Sequence, residues 1–350
     1  MPLNEPSWWY EKSEAWQAKL LAPLGWLWGH ASARRLGGGT PYRAQCPVIC
    51  IGNFTAGGTG KTPMSLAVAG IVRDLGGTPV FLSRGYGGTR AGPIFVDKTR
   101  HTATEVGDEP LLLAQTAPAV VARDRAAGAR LIERHAAPGT VIIMDDGLQN
   151  PYLVKDLVIA VVDGQRGLGN LAVIPAGPLR APLAFQARLV DAIVVNGGSQ
   201  QADFPGMPEL LRSFSGPLLA ARTDVAADAP SLRGVKVVAF AGIANPERFF
   251  RSLESQRAMV CDRIAFGDHH AFTAADCERL LATATAQGAR LITTEKDFAR
   301  LKGRSEPALQ RLRASSQTLA IELVLEDSDL AVLRDLIAKA VAPATVAQRT

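Results

Sequence analysis

The sequence predicts an α/β protein: a parallel sheet flanked by helices, a second and smaller α/β domain, and an N-terminal amphipathic helix. Short apolar runs without polar alternation recur along the chain, with helical stretches between several of them. This is typical of parallel strands buried on both faces. A polar stretch rich in glycine and proline near residues 198–234 separates two series of such runs. All five tryptophans lie within the first thirty residues.

Length and composition limit the function only loosely. The chain has 350 residues, of which 47% are hydrophobic and 20% charged, as expected for about two folded domains. Its net charge of +5 favours an anionic partner such as a nucleotide or an acidic lipid. We predict no nucleic-acid partner, because the basic residues form no dense patch with interleaved aromatics. Four cysteines without a C-x-x-C pair indicate reduced thiols rather than a disulfide framework.

Residues 1–36 are predicted to be an N-terminal amphipathic, membrane-associating segment. Its apolar run, Leu20–Trp28, is far shorter than the ~20 residues that cross a bilayer, and Pro23 and Gly25 interrupt it. The segment could lie in a membrane interface with its indoles at headgroup level. Alternatively, it could be a helix docked on the protein's own core. The basic residues around the segment are Lys12, Lys19, Arg34 and Arg35.

Residues 37–225 are predicted to form the larger domain. Its strands are read from "PVICIG", "PVFLS", "AVVA", "TVIIMD", "LVIAVVD" and "AIVVN". Helices are predicted over Lys61–Leu75 and Asp124–His135. The alternation of strands and helices predicts one parallel sheet covered on both sides.

Residues 226–350 are predicted to form the smaller α/β domain. "VKVVAFAG", "RLITT" and "TLAIELV" are its expected strands. One helix begins after Asn245 as N-cap, with Pro246 at its first position. Another begins after Thr273 and ends at Gly288. The stretch "DSDLAVLRDLIAKA" is expected to close the chain as a helix.

A phosphate loop follows the first strand of the larger domain. It reads "TAGGTGKT" and departs from G-x-x-x-x-G-K-[ST] only because threonine occupies the first glycine position. Such a loop points backbone N–H groups at phosphates, its lysine reaches the β- and γ-phosphates, and its last hydroxyl ligates magnesium. The alternative is a glycine-rich turn with an incidental lysine. The predicted nucleotide-binding residues are Thr55, Ala56, Gly57, Gly58, Thr59, Gly60, Lys61 and Thr62.

Two aspartates complete the expected nucleotide site. Asp145 and Asp146 end the run "TVIIMDD", at the sheet edge where ligands of parallel sheets bind. With Thr62, one of them is expected to hold Mg²⁺; the alternative is a turn after a strand. The pair and the phosphate loop together predict a P-loop NTPase-like sheet. ATP is favoured over GTP because "TTEKD" has the wrong spacing for a guanine signature.

Polar residues at other predicted strand and helix ends are candidates for catalysis or substrate binding. Taken singly, each is more often a cap or a turn residue than a functional group. They are Ser83, Arg84 and Tyr86 in "LSRGYGG", Asp108 and Glu109 in "GDEP", Arg180 in "PAGPLRAP", and Asp268, His269 and His270 in "FGDHHAFT".

Seen together, these stretches resemble the tetraacyldisaccharide 4'-kinase family of lipid A biosynthesis. The matching segments run in order from about residue 50 to 300: "GNFTAGGTGKTP", "LSRGYGG", "GDEP", "DDGLQN", "GNLAVIPAGPLRAP", "AFAGIANPERFF", "FGDHHAFT" and "TTEKD". The resemblance implies transfer of the γ-phosphate of ATP to the 4'-hydroxyl of a tetraacyldisaccharide 1-phosphate. It further implies a lipid substrate, a membrane surface as partner, and a location at the cytoplasmic face of the inner membrane.

The resemblance also implies roles for single residues. Asp108 matches the catalytic base, and a histidine of "DHH" the group that assists it, with His270 slightly favoured over His269. Lys61 and Thr62 match the phosphate-loop residues, and Asp145 and Asp146 the metal pair. The residues expected towards the sugar and its phosphate are Ser83, Arg84, Tyr86, Gln149 and Arg180.

Two positions depart from the family's usual pattern, and two other functions stay open. Ala181 stands where a glutamate is usual, and Asn150 where histidine is common. One rival function is a P-loop ATPase switch that acts with a protein partner. The other is a soluble small-molecule kinase. The kinase interpretation expects no obligatory protein partner.

Overall fold

The computed structural model describes residues 5–11, 15–197, 204–303 and 306–342. Within those ranges the strands are β1 (Val48–Gly52), β2 (Thr78–Ser83), β3 (Ile94–Phe95), β4 (Ala119–Val121), β5 (Thr140–Asp145), β6 (Leu157–Asp163), β7 (Ala192–Asn196), β8 (Leu218–Val225), β9 (Lys236–Ala241), β10 (Met259–Ala265), β11 (Arg290–Thr294), β12 (Ser316–Leu319) and β13 (Ile321–Leu325). The helices are α1 (Trp16–Gly37), α2 (Lys61–Asp74), α3 (Ala103–Val106), α4 (Asp108–Thr116), α5 (Arg125–Glu133), α6 (Leu183–Ala187), α7 (Met207–Ser213), α8 (Pro246–Ser255), α9 (Ala274–Gln287), α10 (Glu295–Arg300), α11 (Pro307–Ser315) and α12 (Asp327–Val341), after a short 3-10 turn at Ser7–Trp9.

The larger sheet confirms the predicted α/β architecture. Its strand order is β13-β8-β7-β6-β1-β5-β2-β4-β3, parallel from β8 to β4, with an antiparallel strand at each edge. β1 lies between β5 and β6, so Cys50 pairs with both Met144 and Val158. The carboxyl ends of the parallel strands therefore meet at one edge, which carries the phosphate loop after β1 and the aspartates at the end of β5.

Burial on both faces explains why these strands read as continuous apolar runs. Cys50 and Met144 belong to the core on one side of the sheet, whereas Ile49 and Ile143 belong to the core on the other side. Helix α2 packs on the second side through residues such as Met64. Each strand thus needs apolar residues at consecutive positions, as expected for a sheet covered by helices.

The smaller sheet has the order β10-β9-β11-β12 and is entirely parallel. Helix α8 packs on one face, and α9 and α11 pack on the other. The predicted caps are confirmed: Asn245 accepts from the Arg248 N–H, and Thr273 from the Asp276 N–H. Gly288 ends α9 with a left-handed φ of 58°.

The last part of the chain returns to the larger sheet. The prediction of one strand in "TLAIELV" is wrong, because β12 joins the smaller sheet and β13 pairs antiparallel with β8. Helix α12 then buries Leu333 and Ile337 in the core beside α2, together with Leu323. Within the range 226–350, β13 is therefore a strand of the larger sheet and α12 packs against that sheet.

Helix α1 docks through small residues and exposes large apolar ones. Gly25 and Gly29 are buried against the loop around Val173 and Pro182, where an added Cβ would contact that loop. Lys12 lies outside the described residues. The exposed large apolar side chains of the helix are Trp16, Leu20, Leu24, Trp26, Leu27 and Trp28. In the described part of the chain, no helix is both long and apolar enough to cross a bilayer.

Candidate active site

The phosphate loop, residues 55–62, has a conformation that depends on its glycines. Gly57 and Gly60 have φ of 96° and 100°, in the left-handed region that favours glycine. Asn196, at the end of β7, donates from Nδ2 to the Thr59 carbonyl at 3.0 Å. A Cβ at Gly60 would run into that amide. The loop is therefore held ready before α2, whose first N–H groups can receive an anion.

The loop's lysine and threonine lie where the sequence predicts them. Lys61 begins α2, and its Nζ lies 3.7 Å from Asp146 Oδ1. Thr62 is buried in the first turn of the same helix. Lys61 has no closer ion pair among the described residues, so its ammonium is available to a phosphate group.

The two aspartates at the end of β5 differ in their surroundings. Asp145 is buried: Oδ1 accepts from Ser65 Oγ at 2.8 Å, and Oδ2 has no partner among the described residues. Burial raises the pKa of Asp145 to about 7, and the negative charge of Glu109 adds to this rise. Desolvation alone would raise the pKa of Asp146, but Arg180 and Lys61 hold it well below its usual range.

The unpartnered Asp145 oxygen fits a hard cation. A buried carboxylate oxygen without a hydrogen bond is costly, and a bound cation would satisfy it. Among the described residues no group of three or more His, Cys, Asp or Glu side chains could hold a metal. Mg²⁺ takes one or two carboxylates and completes its shell with phosphates and water, so the free Asp145 oxygen fits this ion.

A second centre forms around Asp108, the first residue of α4. Its side chain is only 4% exposed. Oδ1 accepts the Glu109 N–H at 2.9 Å, while Oδ2 lies 3.2 Å from His269 Nδ1 and 2.5 Å from Arg300 Nη2. Burial would raise the pKa of Asp108, but His269, Arg300 and Lys296 hold it well below its usual range. The carboxylate is therefore ionised at neutral pH.

The two histidines have different partners in the structure. His269 contacts Asp108, whereas His270 Nε2 lies 3.0 Å from Asp276, in the cap of α9. The His270 ring also stacks on Phe266, with centroids 4.7 Å apart. His269 has a φ of 54°, and this backbone turn sends consecutive side chains to different surroundings. The catalytic role of either histidine stays a prediction.

The predicted substrate residues fall into two groups. Tyr86 is exposed, with its ring 5.1 Å from the His269 ring, and Arg84 is exposed on the same loop. Ser83 is buried at the end of β2, where its Oγ accepts the Gly85 N–H at 3.4 Å. The first group therefore borders the Asp108 centre.

The second group lies against the phosphate loop. Arg180 donates to the Thr55 carbonyl at 3.0 Å and to Asp146 at 3.2 Å. Gln149 donates to the Asn53 carbonyl at 2.8 Å and to Gln186 Oε1 at 2.9 Å. These contacts make Arg180 and Gln149 supports of the loop as well as candidate ligands.

Sequence reasoning missed residues on two sides of the site. Helix α10 supplies Lys296 and Arg300. Lys296 lies in the segment "TTEKD" of the resemblance but was given no role, and Arg300 follows it four positions later with no further signal. At the phosphate loop, Glu5 accepts from the Tyr10 hydroxyl at 3.1 Å and from Arg166 at 3.0 Å. Its carboxylate sits where a Cβ on Gly57 would lie. The N-terminal segment thus covers the phosphate loop, which no local pattern indicated.

The smaller sheet's loops also reach the phosphate loop. Arg248 of α8 donates to Asp163, at the end of β6, at 3.0 Å. Ala244, between β9 and α8, lies against Gly58. Elements of both sheets therefore meet at the phosphate loop.

Comparison with known proteins gives a consistent result. A family model described as LpxK, tetraacyldisaccharide-1-P 4'-kinase, matches residues 17–340. A protein of Nitrobacter winogradskyi named tetraacyldisaccharide 4'-kinase is 46% identical over 323 residues, which cover 91% of this chain and 94% of the relative. One of Methylobacterium nodulans with the same name is 46% identical over 348 residues, covering 99% of each.

A solved structure is similar over nearly the whole chain. It is LpxK from Aquifex aeolicus in complex with ATP, and it shares 25% sequence identity with this chain. The superposition has a TM-score of 0.68 and covers 93% of this chain and 99% of that one.

Proposed function

This chain belongs to the tetraacyldisaccharide-1-P 4'-kinase family, and from that premise we propose how its residues carry out the reaction. It is an ATP-dependent tetraacyldisaccharide 4'-kinase of lipid A biosynthesis. The reaction transfers the γ-phosphoryl group of ATP to the 4'-hydroxyl of a tetraacyldisaccharide 1-phosphate. The observation that carries the proposal is a phosphate loop before Lys61 together with a histidine-paired carboxylate, Asp108, whose neighbours Glu109 and Lys296 lie close enough to Asp145 to interact with its charge.

ATP binds with its phosphates over the start of α2. The backbone N–H groups of the loop, the helix dipole and Lys61 stabilise the negative charge of those phosphates. Asp146 keeps the Lys61 ammonium and the Arg180 guanidinium beside the phosphate loop. The ATP complex of the similar Aquifex aeolicus protein supports this assignment of the nucleotide.

Asp145 and Thr62 are the proposed Mg²⁺ ligands. Ser65 orients Asp145 through Oδ1 and leaves Oδ2 for the cation. Bound there, Mg²⁺ supplies charge neutralisation on the nucleotide phosphates. Asp146 acts indirectly, because its oxygens are engaged by Arg180 and approached by Lys61.

Asp108 orients the 4'-hydroxyl and accepts its proton as the new P–O bond forms. Phosphoryl transfer passes through a loose transition state, so a positioned carboxylate of low basicity suffices to take the proton late. His269 fixes the carboxylate from the smaller sheet's side. Burial alone would lower the pKa of His269, but the hydrogen bond and charge of Asp108 raise it overall.

The lipid substrate is proposed to approach from the membrane surface that α1 would contact. The exposed apolar side chains of α1 would enter the headgroup region of a membrane, with Lys19, Arg34 and Arg35 near its anionic lipids. This supports a location at the cytoplasmic face of the inner membrane. Arg84 and Tyr86 are proposed to contact the sugar beside Asp108, and Ser83 to support their loop.

The proposal is tested by incubating the protein with radiolabelled ATP, Mg²⁺ and tetraacyldisaccharide 1-phosphate in detergent. We expect a labelled, more polar lipid from the wild type and from Lys339→Met, an exposed change on α12, but none from Lys61→Met. Label released only as inorganic phosphate, and stimulated by a protein partner, would favour an ATPase switch. Transfer only to a water-soluble acceptor, without need of detergent, would favour a small-molecule kinase.

A further inference from the structure

We propose that Arg300 is a positioning residue for phosphoryl transfer: it holds Asp108 by one carboxylate oxygen, so that the other oxygen faces the substrate hydroxyl. This inference rests on the proposed function, because only that function makes Asp108 the base that Arg300 would position.

Every nitrogen of the Arg300 guanidinium has a partner. Nε and Nη2 lie 2.7 and 2.5 Å from Asp108 Oδ2. Nη1 donates to Asp297 Oδ1 at 2.5 Å and to the Gly242 carbonyl at 2.6 Å. The side chain is only 9% exposed. A guanidinium bound this way has one orientation, since its donors form a rigid planar fork.

The two oxygens of Asp108 are therefore not equivalent. Oδ2 is occupied by Arg300 and by His269 Nδ1. Oδ1 accepts only the Glu109 N–H among the described residues, at 2.9 Å, which leaves it a lone pair. Oδ1 is thus the oxygen that can accept a proton from the sugar hydroxyl.

Arg300 also shares a backbone contact with His269, the other partner of the Asp108 carboxylate. The Gly242 carbonyl accepts both Arg300 Nη1 and the backbone N–H of His269, the latter at 3.0 Å. One guanidinium therefore binds both the Asp108 carboxylate and the carbonyl that holds the His269 backbone.

A neighbouring ion pair makes it possible to separate this role from simple docking. Lys296, one turn earlier on α10, lies 2.6 Å from Glu109 Oε1. Both pairs join α10 to the start of α4, but only Arg300 touches the Asp108 carboxylate. Changing either residue should therefore weaken the packing of α10 on α4. Only a change of Arg300 should also release the Asp108 carboxylate from its position.

The charges that face Asp108 come from three elements. They are Glu109 on α4, Lys296, Asp297 and Arg300 on α10, and Asp268 and His269 before α9. Arg300 and Lys296 lower the pKa of Asp108. Without the guanidinium this pKa rises, so that activity is lost at a higher pH as the solution is acidified.

The experiment compares Arg300→Gln, Arg300→Lys, Lys296→Gln and Arg263→Gln, the last removing an exposed arginine of the same domain that pairs with Glu254. We expect Arg300→Gln to lower kcat roughly 100-fold, while KM for ATP stays within about threefold of the wild-type value. In the pH profile of kcat/KM, the acid limb should move to higher pH. Arg300→Lys keeps the charge and should keep the acid limb, with a smaller loss of kcat. Lys296→Gln should keep most of kcat, and Arg263→Gln all of it.

The outcomes separate this proposal from the proposed function. If the wild type forms no phosphorylated lipid, the function itself is wrong. If the wild type is active and Arg300→Gln keeps its kcat and acid limb, or loses only ATP affinity, the positioning role is wrong while the function stands. Should Arg300→Gln fail to fold, Arg300→Lys decides: an unchanged kcat overturns the role, and a reduced kcat with an unmoved acid limb supports it.

Discussion

The Asp108 carboxylate and the His269 imidazole come from elements of different sheets and meet with Oδ2 and Nδ1 3.2 Å apart. Asp108 starts α4, which packs on the larger sheet, and His269 follows β10 of the smaller sheet. The candidate base and its histidine partner therefore meet where the layers of the two sheets contact each other. Any change in that contact would move the proposed base, so the proposal links the relative position of the two layers to catalysis.

Asp108→Asn should abolish transfer while sparing nucleotide binding. The amide keeps the shape of the side chain but cannot accept the proton, a loss of roughly 10²- to 10⁴-fold in kcat. Binding of a fluorescent ATP analogue and lipid phosphorylation are measured in parallel. Asp74→Asn, at an exposed position of α2, is the control. A matching loss of nucleotide affinity would move Asp108 to the metal site.

His269→Ala and His270→Ala should have different effects. The first removes the partner of Asp108 and should lower kcat. The second removes a contact to Asp276 in the α9 cap and should mainly lower the melting temperature. Steady-state kinetics and thermal melts of both variants check this. The idea is wrong if His270→Ala proves the more damaging to kcat in a stably folded protein.

The His269–Asp108 pair should also make stability depend on pH. Because Asp108 raises the pKa of His269, the stabilisation from the charged imidazole is fully present below about pH 6.5. It is lost as the pH rises through the higher folded-state pKa. Melting temperatures of the wild type and His269→Ala should therefore differ more at pH 6 than at pH 9. Equal differences at the two pH values would contradict the ionic pair.

Asp145→Asn and Asp146→Asn should differ in their response to magnesium. The first removes the carboxylate with the unpartnered oxygen and should raise the Mg²⁺ concentration for half-maximal activity at least tenfold. The second frees Lys61 and Arg180 and should chiefly weaken ATP binding. Magnesium titrations of lipid phosphorylation distinguish them. The reverse pattern would make Asp146 the ligand.

Trp26→Ser combined with Leu27→Ser should reduce membrane binding without loss of thermal stability. Both side chains are exposed, at 62% and 57%, so the folded protein loses little packing. Flotation with anionic vesicles measures the effect, and Leu211→Ser, exposed on α7, is the control. Point changes are a sharper test than deleting residues 1–30, because Glu5 and Trp9 contact the phosphate loop and the Pro175 carbonyl. Unchanged flotation would contradict membrane contact through α1.

Much of this protein could be predicted from its sequence because the signals are local. The phosphate loop, the aspartates after β5 and the caps of α8 and α9 each depend on residues within one turn of each other. Consecutive apolar residues indicate buried parallel strands. The family resemblance rests on the same short segments in their order along the chain.

Tertiary structure alone decided which distant residues meet. It placed His269 rather than His270 against Asp108, brought Arg300 to Asp108 across 192 positions, placed Glu5 against the phosphate loop, and returned β13 to the larger sheet. Hydrogen bonds and ion pairs act over a few ångströms, so such contacts depend on the path of the whole chain. Local sequence therefore determined the elements and the phosphate loop, and packing between the layers determined how the proposed catalytic carboxylate is held.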